Sequence, residues 1–360
     1  MDGPRRPVVA VVGVGLIGGS IGLAARERLG ADVRGFDPAE GALALERGAI
    51  DRHCGSVGEA VAGADVAFVA VPVGGLPRTV ADVLAAAGDG CVVTDVGSTK
   101  RSVVAAIDDP RFVGGHPLAG AETAGVANAR ADLFDGATWY LTPTARTGGI
   151  LYERLHRFLV DLGARPSALD ADTHDALLAT VSHLPHVLAN VLVARAARVL
   201  SEERERLPAT GPSFRDATRV AGANTSIWRD IYLANADALV EAIDDTVARL
   251  GEVRAALSAR DGDAVAAWND GAGAERRRLL EADLAGGDVH ELRVAVPNRP
   301  GVVAEVALAL GRAGVNILDM ALYPAADMSS GTIALWVAGA EPAVEAQTLV
   351  EGLGLTVARP

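Results

Sequence analysis

A chain of 360 residues has room for two or three domains, and with half its residues hydrophobic it can bury a sizeable core; aromatic residues at 4% make that core mainly aliphatic. The formal net charge of -13 repels phosphate backbones and anionic headgroups, so neither nucleic acid nor a membrane surface is an expected partner. The two cysteines, Cys54 and Cys91, lie far apart without ligand spacing, which excludes a disulfide framework, gives no metal site and fits a reduced cytoplasm.

Arg5 and Arg6 before the apolar stretch Val8–Ala25 resemble a secretory leader, but three glycines at fixed spacing fit a buried strand and turn better. No other segment reads as apolar and uncharged over the ~20 residues of a membrane span. From Val8 onward, short β-branched runs alternate with helical patterns. The predicted strands are Val8–Val12, Asp32–Phe36, Val66–Val71, Cys91–Asp95, Phe112–Gly114 and Thr138–Leu141. Continuous apolar runs of this kind belong to strands buried on both faces of a parallel sheet, with helices as crossovers. Residues 1–169 therefore read as a doubly wound α/β domain.

Residues 170–285 change character. Strand signals stop, and long helices are predicted at Asp170–Leu207 and Thr225–Ser258, with Ala-rich faces suited to a dimer interface. Gly286-Gly287 breaks the helices. The remainder, 286–360, reads as strand His290–Val296, helix Gly301–Arg312, strands Val315–Leu322 and Ile333–Val337, helix Pro342–Gly352 and strand Leu355–Ala358. That order is βαββαβ, a ferredoxin-like plan.

Gly13-Val14-Gly15-Leu16-Ile17-Gly18 follows the first strand and opens a helix. Gly13 permits the tight turn, Gly15 lets backbone approach a pyrophosphate, and Gly18 lets helix and strand pack closely, with helix N–H groups facing the anion. Asp37 ends the second strand, where a carboxylate accepts ribose hydroxyls and repels a 2′-phosphate. NAD is thus preferred over NADP, although Arg34 is a nearby host for that phosphate. Two polar clusters, Thr94–Lys100 and Gly114–Glu122, follow later strands at their carboxyl ends. A third, Ser182-His183-Leu184-Pro185-His186, lies within a long helix. At 100° per residue Asp175, Ser182 and His186 align on one face, and Pro185 should kink the helix. Lys100 reads as a solvated helix residue.

The motifs form an ordered set: the glycine loop, Asp-Val-Gly-Ser-Thr-Lys at Asp95–Lys100, Gly-Gly-His-Pro at Gly114–Pro117, Ser182–His186, Phe-Arg-Asp-x-Thr-Arg at Phe214–Arg219, and Trp-Arg-Asp at Trp228–Asp230. Together they resemble the prephenate/arogenate dehydrogenase family from Val8 to about Ala285. The resemblance implies NAD-dependent oxidative decarboxylation of prephenate to 4-hydroxyphenylpyruvate. It implies His116 as the base for the ring hydroxyl, with Ser98 holding it or the hydroxyl. Arg229 would clamp the ring carboxylate and Asp175 would orient Arg229. His183 would meet the cofactor and His186 the side-chain end of the substrate, with Glu122 lining the same loop. Ser98 also suits an N-cap for the helix from Lys100. Arg215 and Arg219 read equally as structural or functional. Gly211-Pro212-Ser213 departs from the family's consecutive glycines, which should stiffen that loop.

With Pro297-Asn298-Arg299-Pro300-Gly301 leading into a helix, His290–Pro360 resembles an ACT domain. That implies an amino-acid effector, tyrosine or phenylalanine, where loop meets helix. A homodimer is the expected assembly. Arogenate is the alternative substrate, and a non-catalytic sensor of NAD and amino acid is the alternative of a different class.

Overall fold

The computed structural model describes residues 5–120, 123–202, 210–282, 288–325 and 329–359. The chain divides into two compact units, residues 1–175 with 289–360, and residues 176–288. The C-terminal module, with a sheet of its own, packs with the N-terminal sheet in the first unit.

The first unit is built on an eight-stranded sheet. Its strands are β1 (Val8–Val12), β2 (Asp32–Phe36), β3 (Arg52–His53), β4 (Val66–Val69), β5 (Val92–Asp95), β6 (Phe112–Pro117), β7 (Thr138–Thr142) and β8 (Arg165–Ala168). The helices between them are α1 (Leu16–Leu29), α2 (Gly41–Glu46), α3 (Val57–Val61), α4 (Leu76–Ala86), α5 (Arg101–Ala106) and α6 (Gly149–Asp161). The spatial order is β3-β2-β1-β4-β5-β6-β7-β8. The strand order reverses between β1 and β4, and the crevice beyond their carboxyl ends is the ligand position in such sheets. Pairing is parallel except between β6 and β7, which run antiparallel. All six predicted strands form. β3 and β8 were not foreseen: β3 has only two exposed residues, and β8 carries Arg165 and Pro166. The core is mainly Val, Ala and Leu, with Phe68, Phe134, Trp139 and Phe158 packed at its centre. Cys54 and Cys91 are buried thiols, and burial pushes that of Cys91 up to about 11.

The second unit is helical: α7 (Ala171–Leu178) leads into it, followed by α8 (Leu184–Glu202), α9 (Pro212–Thr218), α10 (Thr225–Ala234), α11 (Ala236–Ala259) and α12 (Gly262–Ala282). Between α7 and α8, Ala179–His183 form a π-turn just before Pro185, the position at which a kink is expected. Proline lacks an N–H and its ring crowds the carbonyl four residues earlier; widening the preceding turn relieves both. The extra residue also breaks the α-helical alignment of Asp175 with Ser182 and His186. The helix predicted over Thr225–Ser258 is split at Asn235. Pro212 is the first residue of α9, where a fixed φ is favourable. By length and composition alone, one helical run among the described residues, Ala171–Val199, is long and apolar enough to cross a membrane, where the sequence reading expects none. The buried His174, Asp175 and His183 within it are hydrogen-bonded to protein groups.

The C-terminal module comprises β9 (Val289–Pro297), α13 (Val302–Arg312), β10 (Ile317–Pro324), β11 (Ser330–Ala338), α14 (Ala340–Gly352) and β12 (Thr356–Ala358). Its antiparallel sheet runs β10-β11-β9-β12, the ferredoxin-like order expected of βαββαβ. It docks on the larger sheet at close range. A Cβ at Gly311 would stand 1.6 Å from the Ala168 carbonyl oxygen, and one at Gly149 would stand 2.8 Å from Val303. Arg312 adds an ion pair to Asp170 at 3.0 Å.

Candidate active site

The glycine loop joins β1 to α1 at the reversal point. Gly13 has φ +91°, and a Cβ there would lie 2.4 Å from the Ala70 carbonyl oxygen; one at Gly18 would lie 2.0 Å from the Gly13 carbonyl oxygen. Both positions require glycine for the fold. At Gly15 a Cβ would meet nothing within 4 Å, so the space above it is open. Leu16 and Ile17 are the first residues of α1, which has no side-chain cap, so its leading N–H groups remain for an anion. Asp37 ties this loop to β2. Its carboxylate accepts Val14 N at 2.8 Å and the amides of Ala39 and Glu40 at 2.9 Å. An ionised carboxylate offers about four acceptor positions, so capacity remains for a ribose hydroxyl. A cleft of about 410 Å³ opens beside Gly13, Asp37, Val71 and Arg78. Arg34, the nearby host considered for a 2′-phosphate, is engaged by Asp32 at 3.0 Å and by the Ala62 carbonyl at 2.6 Å. These features fit a dinucleotide without the extra phosphate.

His116 stands on β6, buried beside His174 of α7. Its Nδ1 lies 2.9 Å from His174 Nε2, and His174 Nδ1 lies 2.8 Å from Asp175 Oδ1. Asp175 also accepts the amides of Lys100 at 2.7 Å and Arg101 at 2.9 Å, capping α5 from a distant part of the chain. The cap expected of Ser98 is therefore supplied by Asp175. Ser98 itself is half-buried in the β5–α5 loop. Lys100, expected at the surface, is fully buried; its ammonium bonds Asp95 and, at 2.7 Å, the carbonyl of Gly115. Asp95 in turn accepts Gly97 N at 2.8 Å and Gly115 N at 3.1 Å. The backbone next to His116 is thus clamped by a buried ion pair. A Cβ at Gly114 would come within 2.3 Å of Thr142 Oγ1, and one at Gly115 within 2.6 Å of Thr94 Oγ1, which explains the paired glycines. Burial lowers the pKa of His174 against the pull of Asp175, which favours its neutral ring. Burial alone would raise that of Asp175, but the bonds from His174 and the two amides hold it below the usual carboxylate range. Glu122 lies outside the described residues.

In the helical unit, His186 stacks on Trp228 with ring centroids 3.5 Å apart. His186 Nδ1 donates to the Ser182 carbonyl at 3.0 Å. Burial, aided by the charge of Arg219, lowers its pKa. His183 is fully buried, 3.2 Å from the Asn235 amide and edge-on to Trp228. Arg229 is largely exposed and paired with Asp230 at 2.9 Å. Asp175 is engaged by His174, Lys100 and Arg101. Arg215 donates to the Thr210 carbonyl, a local structural bond.

Residues 21–167 match the model of the prephenate dehydrogenase nucleotide-binding domain, and residues 170–269 match that of the prephenate dehydrogenase dimerization domain. A prephenate dehydrogenase of Bacillus subtilis is 30% identical over 349 residues, covering 91% of each chain. The chain belongs to the prephenate dehydrogenase family. A cyclohexadienyl dehydrogenase of Zymomonas mobilis is 34% identical, covering 71% of this chain and 90% of the relative. Among solved structures, a prephenate dehydrogenase from Aquifex aeolicus, in complex with hydroxyphenyl propionate and NAD+, superposes with a TM-score of 0.72 at 27% identity, covering 77% of this chain and all of that one.

The matched spans contain every candidate site residue except the glycine loop, which precedes residue 21. Within this family member, two elements of the site escaped the sequence reading. Lys100 reads as a surface residue because a lysine opening a helix is usually solvated. His174 carries no local signal beyond standing next to Asp175; only the fold brings it against His116.

Proposed function

We propose that this chain oxidises prephenate with NAD and releases carbon dioxide, giving 4-hydroxyphenylpyruvate on the way to tyrosine. The observation that carries the reading is His116 at the carboxyl end of the sheet, braced through its Nδ1, in a chain whose glycine loop and Asp37 suit NAD. When bound, NAD accepts the hydride from the hydroxyl-bearing ring carbon. His116 takes the hydroxyl proton as general base, a role worth about 10²–10⁴-fold in rate. The electron pair of the bond to the ring carboxylate then enters the ring, which becomes aromatic. Ser98 contacts the substrate hydroxyl, Arg229 receives the ring carboxylate, His186 lies at the side-chain end of the substrate, and Glu122 belongs to the loop that follows His116. His183 lies toward the cofactor, and Asp175 acts on the base side of the site through His174. Two copies pair through the helical unit, in the cytoplasm.

A purified sample mixed with NAD and prephenate, then with arogenate, should form NADH with prephenate; no turnover with either sinks the reading. Neutral His186, with Nδ1 committed to Ser182, presents an acceptor at Nε2. An acceptor suits the ammonium of arogenate, which makes that substrate the competitor to measure.

The C-terminal module acts as an ACT-type regulatory domain. A cavity of about 300 Å³ lies between the β9–α13 loop, at Asn298 and Arg299, and the start of α6, at Gly148 and Ile150. Its apolar lining and nearby guanidinium groups suit tyrosine or phenylalanine. Half-exposed Ile150 lines it; Ile150→Trp should abolish inhibition by tyrosine while uninhibited turnover persists. Inhibition that persists unchanged places the effector elsewhere.

A further inference from the structure

The chain of contacts behind His116 determines where its proton sits. Asp175 is an acceptor only: its carboxylate is held ionised by two α5 amides and by Arg101 Nε at 3.4 Å. His174 Nδ1, 2.8 Å away, must therefore donate to it. A neutral imidazole has one N–H, so His174 Nε2 carries a lone pair. His116 Nδ1, 2.9 Å from that lone pair, must in turn be the donor. The neutral His116 ring then has its own lone pair on Nε2.

We propose that His174 is a positioning residue that fixes His116 in the tautomer with Nδ1 protonated, so that Nε2 is the atom that takes the substrate's hydroxyl proton. This rests on His116 being the base. The opposite arrangement, with a proton on both nitrogens of His174 and His116 Nδ1 accepting, would place a second cation in a fully buried position near Lys100. The groups facing His174 are His116 on β6, Tyr140 on β7 edge-on at 5.7 Å, Asp175 beside it, and the Lys100–Asp95 pair from the β5 side. When His116 Nε2 accepts the proton, the ring becomes an imidazolium. Its Nδ1–H bond to His174 becomes charge-assisted and stronger, and the Asp175 carboxylate lies one ring further along. The same logic governs the serine-protease triad, where losing the tautomer-fixing carboxylate costs about 10⁴ in kcat. Here a second imidazole is interposed between carboxylate and base.

The test combines ring-nitrogen NMR of the full-length, ¹⁵N-histidine-labelled chain with kinetics. The His116 signals are assigned by their loss in His116→Asn. Above the titration of His116, its Nδ1 should be protonated and its Nε2 bare; the reverse overturns the proposal without any variant of His174 being made. His174→Phe should lower kcat about 10²-fold with KM for prephenate and NAD nearly unchanged, and should move the acidic limb of the pH–kcat profile. His174→Gln, which can place an amide oxygen near the lost Nε2, should recover at least about tenfold of that rate. A Phe variant with unchanged kcat and pH profile overturns the proposal. The underlying reading is scored separately: if His116→Asn retains turnover, His116 is not the base, whatever the NMR shows.

Discussion

Three glycines in one loop do three different things, and substitution separates them. At Gly18 an added Cβ collides with the Gly13 carbonyl, whereas at Gly15 it enters open space. Gly18→Ala should therefore destabilise the fold by roughly 1–3 kcal/mol, the usual cost of overpacking. Gly15→Ala should leave the melting temperature unchanged while weakening NAD, because only a bound pyrophosphate would meet the new methyl. Thermal melts and NAD titrations on both variants check this; equal losses of stability would remove Gly15 from the cofactor site. Lys100 supports a second prediction at this scale. It is fully buried against Asp95, and burial pulls its pKa down against that partner's attraction. Lys100→Met leaves a buried carboxylate without its cation, a change that costs about 3–5 kcal/mol. Lys100→Met combined with Asp95→Asn should recover part of that loss in denaturant unfolding. If the double variant is no better than the single one, the pair is not what holds the strand bearing His116.

At the scale of elements, α6 lies between the large sheet and the C-terminal module and carries a titrating group in its buried face. Both ring nitrogens of His156 lack a hydrogen-bond partner, and burial pushes its pKa down to about 4 from 6.5, against the attraction of Asp319. The unfolded chain binds the proton more tightly, so this contribution to stability is fully present above pH 6.5 and is lost as the pH falls toward 4. The difference amounts to about 3 kcal/mol. Unfolding free energies measured from pH 7 down to 4 should fall less steeply in His156→Leu than in the parent; parallel curves would show that His156 is not buried neutral. Elements also mark how far sequence could be read. β1, β2 and the βαββαβ order were legible because their apolar runs have the right period and punctuation. β3 was not, since two exposed residues carry no pattern. The π-turn was not either, since Pro185 announces a disturbance but not the form it takes.

At the scale of the molecule, the catalytic cluster was legible as a set of motifs, but its wiring was not. Asp175 is 75 positions from the Lys100 amide it caps, and His174 is 58 positions from His116. Such pairings come from the fold, and sequence spacing is silent on them. The same holds for the C-terminal module, whose order of elements was readable while its attachment was not. Gly311 decides that attachment: α13 approaches β8 so closely that a Cβ would overlap the Ala168 carbonyl at 1.6 Å, and a backbone carbonyl cannot swing aside as a side chain can. Gly311→Val should consequently push the module off the sheet. If the two form one cooperative body, amide exchange should speed up in β8 and α6 as well as in α13, while the amides of α11 keep their protection. The melting temperature of this unit should drop by about 2–4 °C for each kcal/mol lost. Exchange that rises in α13 alone would mean that the module is stable by itself and only rests on its neighbour. Any signal from the cavity beside Asn298 would then have no rigid path into the sheet that bears His116.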